Sequence, residues 1–215
     1  MKRLVIFDLD GTLLNTIADL AAAVNHAMEQ CGHAPHTVDE VHSFVGNGIG
    51  KLLERSLPAD RRSPEQLARL REEFLAYYNV HNADLSVPYP GVAEMLRRLQ
   101  RRGLLLAVAS NTYQLATEKL VAHYFPDIHF ARVCGQRDGV PTKPHPMVVG
   151  EILDAVHVDN ADALYVGDSD VDMQTAINAR VDAVAVSWGF RPRAELESYH
   201  PLAVIDSAEE LDRYC

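Results

Sequence analysis

Asp8-Leu9-Asp10-Gly11-Thr12 places two carboxylates, a glycine and a hydroxyl directly after the apolar run Leu4 to Phe7. Three other stretches carry related chemistry: Ser110-Asn111 after LLLAVA, Lys143 inside PTKPHP, and GDSDVD, containing Asp168 and Asp172, after ALYV. If these four tips meet, Asp8, Asp10, Asp168 and Asp172 face one fixed cation, Lys143. Crowded, partly buried carboxylates repel one another, and at least one would keep a proton unless a cation bound there. An all-oxygen donor set suits Mg2+, a hard ion that keeps waters and bridges to phosphate oxygens. On that reading Lys143, Ser110 and Thr12 hold phosphoryl oxygens, with Asn111 and the N–H groups of the glycine turn beside them. In an extended segment, residues 8 and 10 project to the same side. Asp168 and Asp172, four apart at a helix start, share one face, and Asp170 points elsewhere.

Each stretch alone has a plainer reading. An Asp-Gly pair after a strand makes a turn, GDSDVD reads as a capped helix start, and most lysines are solvated surface charge. Four such stretches in order, each at the carboxyl end of a strand, set this chain apart from those readings.

The elements that must position them follow from periodicity. Leu4 to Phe7, Leu104 to Ala109, Ala163 to Val166 and Ala183 to Val186 are short apolar runs that predict buried strands. Between them, VAEMLRRLQRRG, QLATEKLVAHYF, PMVVGEILDAVH and DMQTAINAR have helical period. Alternating strand and helix predicts an α/β fold, a Rossmann-like parallel sheet with helices on both faces, whose chemistry lies beyond the strand carboxyl ends. Residues 15–86 break the alternation: they hold helical patterns such as ADLAAAVNHAMEQCG and SPEQLARLREEFLAYYNVH and no good strand, over far too great a length for a loop. They are predicted to form an inserted helical domain, with residues 1–14 and 87–215 as the core domain and VPYPG as the linker.

Composition narrows the partners. With 20 basic and 30 acidic residues the formal charge is -10, a field that repels nucleic acid and anionic membranes and leaves small anionic molecules to be met by a local cation or metal. The 3 cysteines are few, odd in number and widely spaced, as expected of free thiols in a reducing compartment. The opening MKRLVIF meets Asp8 too early for a signal peptide and no run approaches a membrane span, so the cytoplasm is the expected location. The 10 histidines form no zinc-binding pattern.

Taken together, FDLDGTLL, VASN, TKPHP and GDSDVD resemble the four motifs of the haloacid dehalogenase-like superfamily. The resemblance implies a sheet-centred core with a cap inserted after the first motif. It also implies Mg2+ held by the Asp8 side chain, the Asp10 backbone carbonyl and the Asp168 side chain. By the same resemblance Asp8 is the nucleophile that forms an aspartyl-phosphate, and Asp10 is the general acid and then base. Ser110 and Lys143 stabilise the phosphoryl group, and Asp172 orients Lys143 or metal-bound water.

Within that superfamily, FDLDGTLLNTIADLAAAVNHAM, VGNGIGKLLERSL and PYPGV are similar to the phosphoglycolate phosphatase group. In the cap, Gly46-Asn47-Gly48 would then offer N–H groups to a small anionic substrate, or serve as an ordinary turn. Lys51, and more weakly Arg55, would meet a substrate carboxylate or simply be solvated. Asn15 stands where the group usually has Asp, which removes a charge near the site and weakens the choice of substrate. Sugar phosphates, nucleotides, pyrophosphate and a phosphosugar mutase reaction all need the same core. Asp10 argues against dehalogenation, which needs no acid for alkoxide departure. Phosphonoacetaldehyde hydrolysis would need a cap lysine, and Lys51 is the single one in the insert. A non-catalytic binding module on this fold is opposed by the intact Asp8, Asp10, Lys143 and Asp168.

Overall fold

The computed structural model describes residues 2–215. In chain order they form β1 (Leu4–Phe7), β2 (Leu14–Asn15), α1 (Ile17–Gln30), α2 (Val38–Phe44), α3 (Gly48–Ser56), α4 (Pro64–His81), β3 (Val87–Pro88) and α5 (Val92–Arg101). There follow β4 (Leu105–Tyr113), α6 (Gln114–Tyr124), β5 (Phe130–Gln136), α7 (Met147–Val156), β6 (Ala163–Gly167), α8 (Asp170–Ala179), β7 (Asp182–Val186), α9 (Arg193–Glu197) and β8 (Ala203–Ile205). Among the described residues, no helix is long and apolar enough to cross a membrane.

The chain divides into two compact units, Met1–Asn15 with Pro88–Cys215, and Thr16–Val87. Both crossings fall one residue later than the boundaries read from sequence. The first unit is built on a six-stranded sheet in the order β5-β4-β1-β6-β7-β8, with parallel pairing at each ladder. A parallel strand covered on both faces must be apolar throughout, and Leu4, Val5, Ile6 and Phe7 of β1 are all fully buried. From β1 the sheet grows outward through β4 to β5, then returns to the other side through β6, β7 and β8. The reversal at β1 opens a crevice at the strand carboxyl ends, where ligands bind in open α/β sheets. Register aligns the candidate residues there: Phe7 pairs with Val108 and with Val166, so Asp8, Ser110 and Asp168 all emerge just beyond the paired residues.

Helices pack by the expected periodicity. In α5, Val92, Met95, Leu96 and Leu99 are buried, one face at helical spacing. β5 was not expected; it is an edge strand whose residues are mostly only part-buried, so no apolar run announces it. Part of its backbone is paired by a side chain, Gln114, which donates to the Val133 carbonyl (2.8 Å) and accepts from the Gly135 N–H (2.7 Å).

The second unit is helical, from α1 through α4. Leu70, Phe74 and Tyr78, one turn apart, form the buried stripe of α4, and Leu20, Ala23, Val24 and Ala27 that of α1. α4 starts at Ser63, whose hydroxyl accepts from the Gln66 N–H, with Pro64 in the first turn where its missing N–H costs nothing. Asp19, 1% exposed, accepts from the Leu85 N–H (3.0 Å), the Ser86 N–H (2.8 Å) and the Ser86 hydroxyl (2.6 Å).

Candidate active site

The carboxyl ends of β1, β4 and β6 and the loop carrying Lys143 bring the core residues together. Lys143 is 3% exposed, and its ammonium lies 2.9 Å from Asp8 Oδ1 and 2.7 Å from Asp172 Oδ1. Its Nζ also donates to the Tyr165 hydroxyl (3.1 Å), which donates in turn to Asp172 Oδ1 (3.1 Å). Asn111 holds the backbone of this lysine from both sides: its Nδ2 donates to the Lys143 carbonyl (3.1 Å) and its Oδ1 accepts from the Lys143 N–H (2.9 Å). Asn111 thus fixes the lysine loop, where the sequence reading put it on phosphate.

β1 stops at Phe7, so Asp8 and Asp10 lie just beyond the extended strand, and Gly11 turns the chain at φ +86°. Their carboxylates have different partners. Asp8 Oδ1 accepts from the Leu9 N–H (2.7 Å) and meets Lys143, while Asp10 Oδ2 accepts from the hydroxyls of Ser110 (3.2 Å) and Thr112 (2.8 Å). Thr112 was not singled out in the sequence because β4 was expected to end at Ala109; it runs on to Tyr113.

Asp168 and Asp172 also meet by a route other than a shared helix face. Asp168 precedes α8, and Ser169 is its N-cap; the Ser169 hydroxyl accepts from the Asp172 N–H, and Asp172 reaches back to Ser169 in a capping box. Asp170 points away and accepts from Arg191 Nε (3.2 Å). Asp168 Oδ1 accepts from the Thr12 hydroxyl (2.8 Å) and Oδ2 from the Phe190 N–H (2.7 Å). The Thr12 hydroxyl thus orients Asp168, where the sequence reading put it on phosphate. The backbone leaves room for this acid: a Cβ on Gly11 or Gly189 would strike the Asp168 side chain. Trp188 closes that side, donating from Nε1 to the Thr12 carbonyl (3.1 Å). Nothing in the sequence distinguished Tyr165 from an ordinary core aromatic, or the Trp188–Phe190 turn from an ordinary loop.

Lone pairs decide which acids can take a metal. A carboxylate offers about four acceptor sites. Asp172 fills all of its own, with Lys143 and Tyr165 on Oδ1 and the Ser169 N–H and hydroxyl on Oδ2. Asp168 accepts one hydrogen bond on each oxygen, and Asp8 is engaged through Oδ1. Asp8, Asp168 and Asp172 each bring one oxygen within 4.8 Å of the others. Of these three, Asp8 and Asp168 retain capacity for a cation.

Their protonation points the same way. Burial, then Asp172, raises Asp8 well above the usual carboxylate range, with Lys143 pulling against them. Burial, then Asp172, pushes Asp168 up to about 7, against the Phe190 N–H and Thr12 hydroxyl that favour its charged form. Burial works against the Lys143 ammonium, but Asp172 and Asp8 outweigh it and raise that lysine. The site therefore holds more negative charge than one ammonium balances, which a hard divalent cation on oxygen donors would relieve.

The cap candidates Gly46, Asn47, Gly48 and Lys51 all belong to the Thr16–Val87 unit. Arg55 donates to the Phe44 carbonyl and to Asn47 Oδ1, both at 2.7 Å, bracing the turn before α3. Lys51 is paired with Glu54 at 2.6 Å. Arg55, the weaker candidate by sequence, is the residue built into this loop.

The family model described as haloacid dehalogenase-like hydrolase matches residues 5–186. The phosphoglycolate phosphatase of Mesorhizobium japonicum is 35% identical over 214 residues, covering 98% of this chain and 93% of that one. That of Psychrobacter arcticus is 30% identical over 220 residues, covering 99% and 95%. A crystal structure of a Lactobacillus delbrueckii subsp. bulgaricus protein, 33% identical, matches with a TM-score of 0.92 over 100% of this chain and 98% of that one. A predicted phosphoglycolate phosphatase from Haemophilus somnus, 25% identical, gives the same score over 99% and 97%.

Proposed function

We propose, from the premise that this chain belongs to the haloacid dehalogenase-like hydrolase family, that it is a Mg2+-dependent phosphatase of a small phosphorylated metabolite, with 2-phosphoglycolate as the leading substrate. The observation that carries the reading is the buried ammonium of Lys143 set between Asp8 and Asp172, with Asp168 completing the acidic cluster. The substrate assignment draws on the relatives named phosphoglycolate phosphatase.

The Asp8 and Asp168 side chains and the Asp10 backbone carbonyl would hold Mg2+, which would supply charge neutralisation and Lewis acidity to the phosphoryl oxygens. Asp8 attacks phosphorus through a carboxylate oxygen while the ester P–O bond breaks. The Asp10 carboxyl gives its proton to the departing alkoxide, releasing the alcohol and leaving an aspartyl-phosphate on Asp8. Asp10, now a carboxylate, takes a proton from water as that water attacks the same phosphorus, freeing Asp8 and inorganic phosphate. Lys143 and Ser110 hold the phosphoryl oxygens throughout, so most of the barrier reduction is positioning and charge stabilisation. Asp172 keeps Lys143 in place.

Phosphonate hydrolysis would need an imine on a cap amine; Lys51, the single lysine of the insert, lies exposed beside Glu54, and borohydride with phosphonoacetaldehyde is expected to trap no adduct on it. The test is kcat/KM on 2-phosphoglycolate, sugar phosphates, nucleotides and pyrophosphate, with Mg2+ and after chelation. Highest turnover on 2-phosphoglycolate, lost on chelation and restored by Mg2+, is expected. Preference for another ester would move the substrate, and no Mg2+-dependent hydrolysis of any of them would overturn the reading.

A further inference from the structure

Two hydroxyls converge on one oxygen of Asp10. Ser110 donates at 3.2 Å and Thr112 at 2.8 Å, both to Oδ2, and the Thr112 N–H donates to the Ser110 hydroxyl oxygen at 3.0 Å. Ser110 and Thr112 are 4% and 8% exposed, so neither hydroxyl is a solvated bystander. In the mechanism above Ser110 has a second duty. A serine has one hydroxyl hydrogen, and when a phosphoryl group is bound that hydrogen turns to a phosphoryl oxygen. Thr112 makes the shorter of the two bonds, and the mechanism above gives its hydroxyl no part in phosphate binding.

We propose that Thr112 is the positioning residue for Asp10, holding its carboxyl plane by Oδ2 while Ser110 is engaged by the phosphoryl group. The inference rests on the phosphatase reading and deepens it. The Thr112 hydroxyl acts through Asp10, so its removal should follow how far a substrate needs its leaving group protonated. An alkoxide leaving group needs the proton; a dinitrophenolate leaves without it. A residue that merely supports the fold would affect both kinds of ester alike.

The test compares kcat/KM, which reports steps up to the first irreversible one, for 2-phosphoglycolate and for 2,4-dinitrophenyl phosphate. It uses the full-length wild type, Thr112→Val and Thr112→Ser with Mg2+ present. Thr112→Val should lower the value for 2-phosphoglycolate about 10- to 100-fold, part of the range of general acid catalysis, and that for the dinitrophenyl ester less than about 3-fold. Thr112→Ser, which keeps the hydroxyl, should recover most of the loss. Because both esters are assayed on the same preparation, any misfolded fraction cancels in the ratio. Equal losses on both esters, or no loss, would overturn the role of Thr112 and leave the phosphatase reading intact. A wild type that hydrolyses neither ester would overturn that reading and this inference with it.

Discussion

Asp19 in the helical unit and Asp168 in the sheet unit are both buried aspartates, 1% and 0% exposed, yet they are satisfied in opposite ways. Asp19 draws its hydrogen bonds from neutral donors, the N–H groups of Leu85 and Ser86 and the Ser86 hydroxyl. Such an acid ties two segments of chain together and asks for nothing else. Asp168 shares its surroundings with Asp8 and Asp172, and the three have one ammonium among them. Burial of a carboxylate therefore does not mark function by itself. Crowding beyond the available counter-charge is the stronger mark, because a fold gains nothing from it unless a cation relieves it, as in the function proposed above.

The largest effect should come from breaking the crowded side of that comparison. Asp8→Asn keeps the shape of the side chain but removes the proposed nucleophile, and turnover of 2-phosphoglycolate should fall about 10³-fold or more, a loss of several kcal/mol of transition-state stabilisation. Circular dichroism should be unchanged. Full Mg2+-dependent turnover by this variant would remove Asp8 from the reaction.

Next in size is the counter-charge. Lys143→Met leaves Asp8 and Asp172 facing each other without their ammonium, and removing one partner of a buried ion pair costs about 3–5 kcal/mol. Denaturant unfolding in the absence of divalent cations reads the loss. Adding Asp172→Asn to that variant should recover part of it, because an amide needs no counter-charge. Failure to recover would mean that Lys143 stabilises through packing and not through charge.

The core of the site was legible in sequence for a physical reason. Strands covered on both faces must be apolar throughout, so β1, β4, β6 and β7 stood out, and the polar residues at their carboxyl ends stood out against them. Edge strand β5, with its part-buried residues, had no such contrast. Also hidden was how the acids are held. The Phe190 N–H that binds Asp168 is a backbone group common to nearly every residue type, and Tyr165 differs from a core phenylalanine by one hydroxyl. Thr112 lay beyond the expected strand end. Side-chain partners depend on register and loop path, which short-range patterns do not carry. Asp19 shows the same limit from the other side, since its Leu85 and Ser86 partners are 66 and 67 residues away.

The satisfied side of the comparison should break differently. Asp19→Asn leaves fewer acceptors for the Leu85 and Ser86 donors, and losing hydrogen bonds to a buried charged group costs about 1–3 kcal/mol. Thermal unfolding should show that loss. Hydrolysis of p-nitrophenyl phosphate below the transition should fall far less than in Asp8→Asn. A collapse of turnover as deep as that variant's would place Asp19 with the proposed catalytic acids and erase the distinction.

The smallest effect is a pH dependence that separates the two kinds of burial. Asp168 is raised from an ordinary 3.8 to about 7, and Asp8 is raised as well. Between about pH 4 and pH 7 the folded protein therefore binds more protons at these acids than the unfolded chain does, so their contribution to stability without metal falls as pH rises through that window. A divalent cation binds the deprotonated acids and displaces those protons, so its stabilisation must grow over the same window. Mg2+ should raise the melting temperature more at pH 8 than at pH 5. Asp168→Asn should flatten that difference, while Asp19→Asn, although less stable overall, should keep the wild-type difference because its buried charge is already satisfied without a metal. An equal Mg2+ increment at both pH values in the wild type would mean that the crowded acids do not release protons to the cation, and the contrast between the two burials would then be one of position alone.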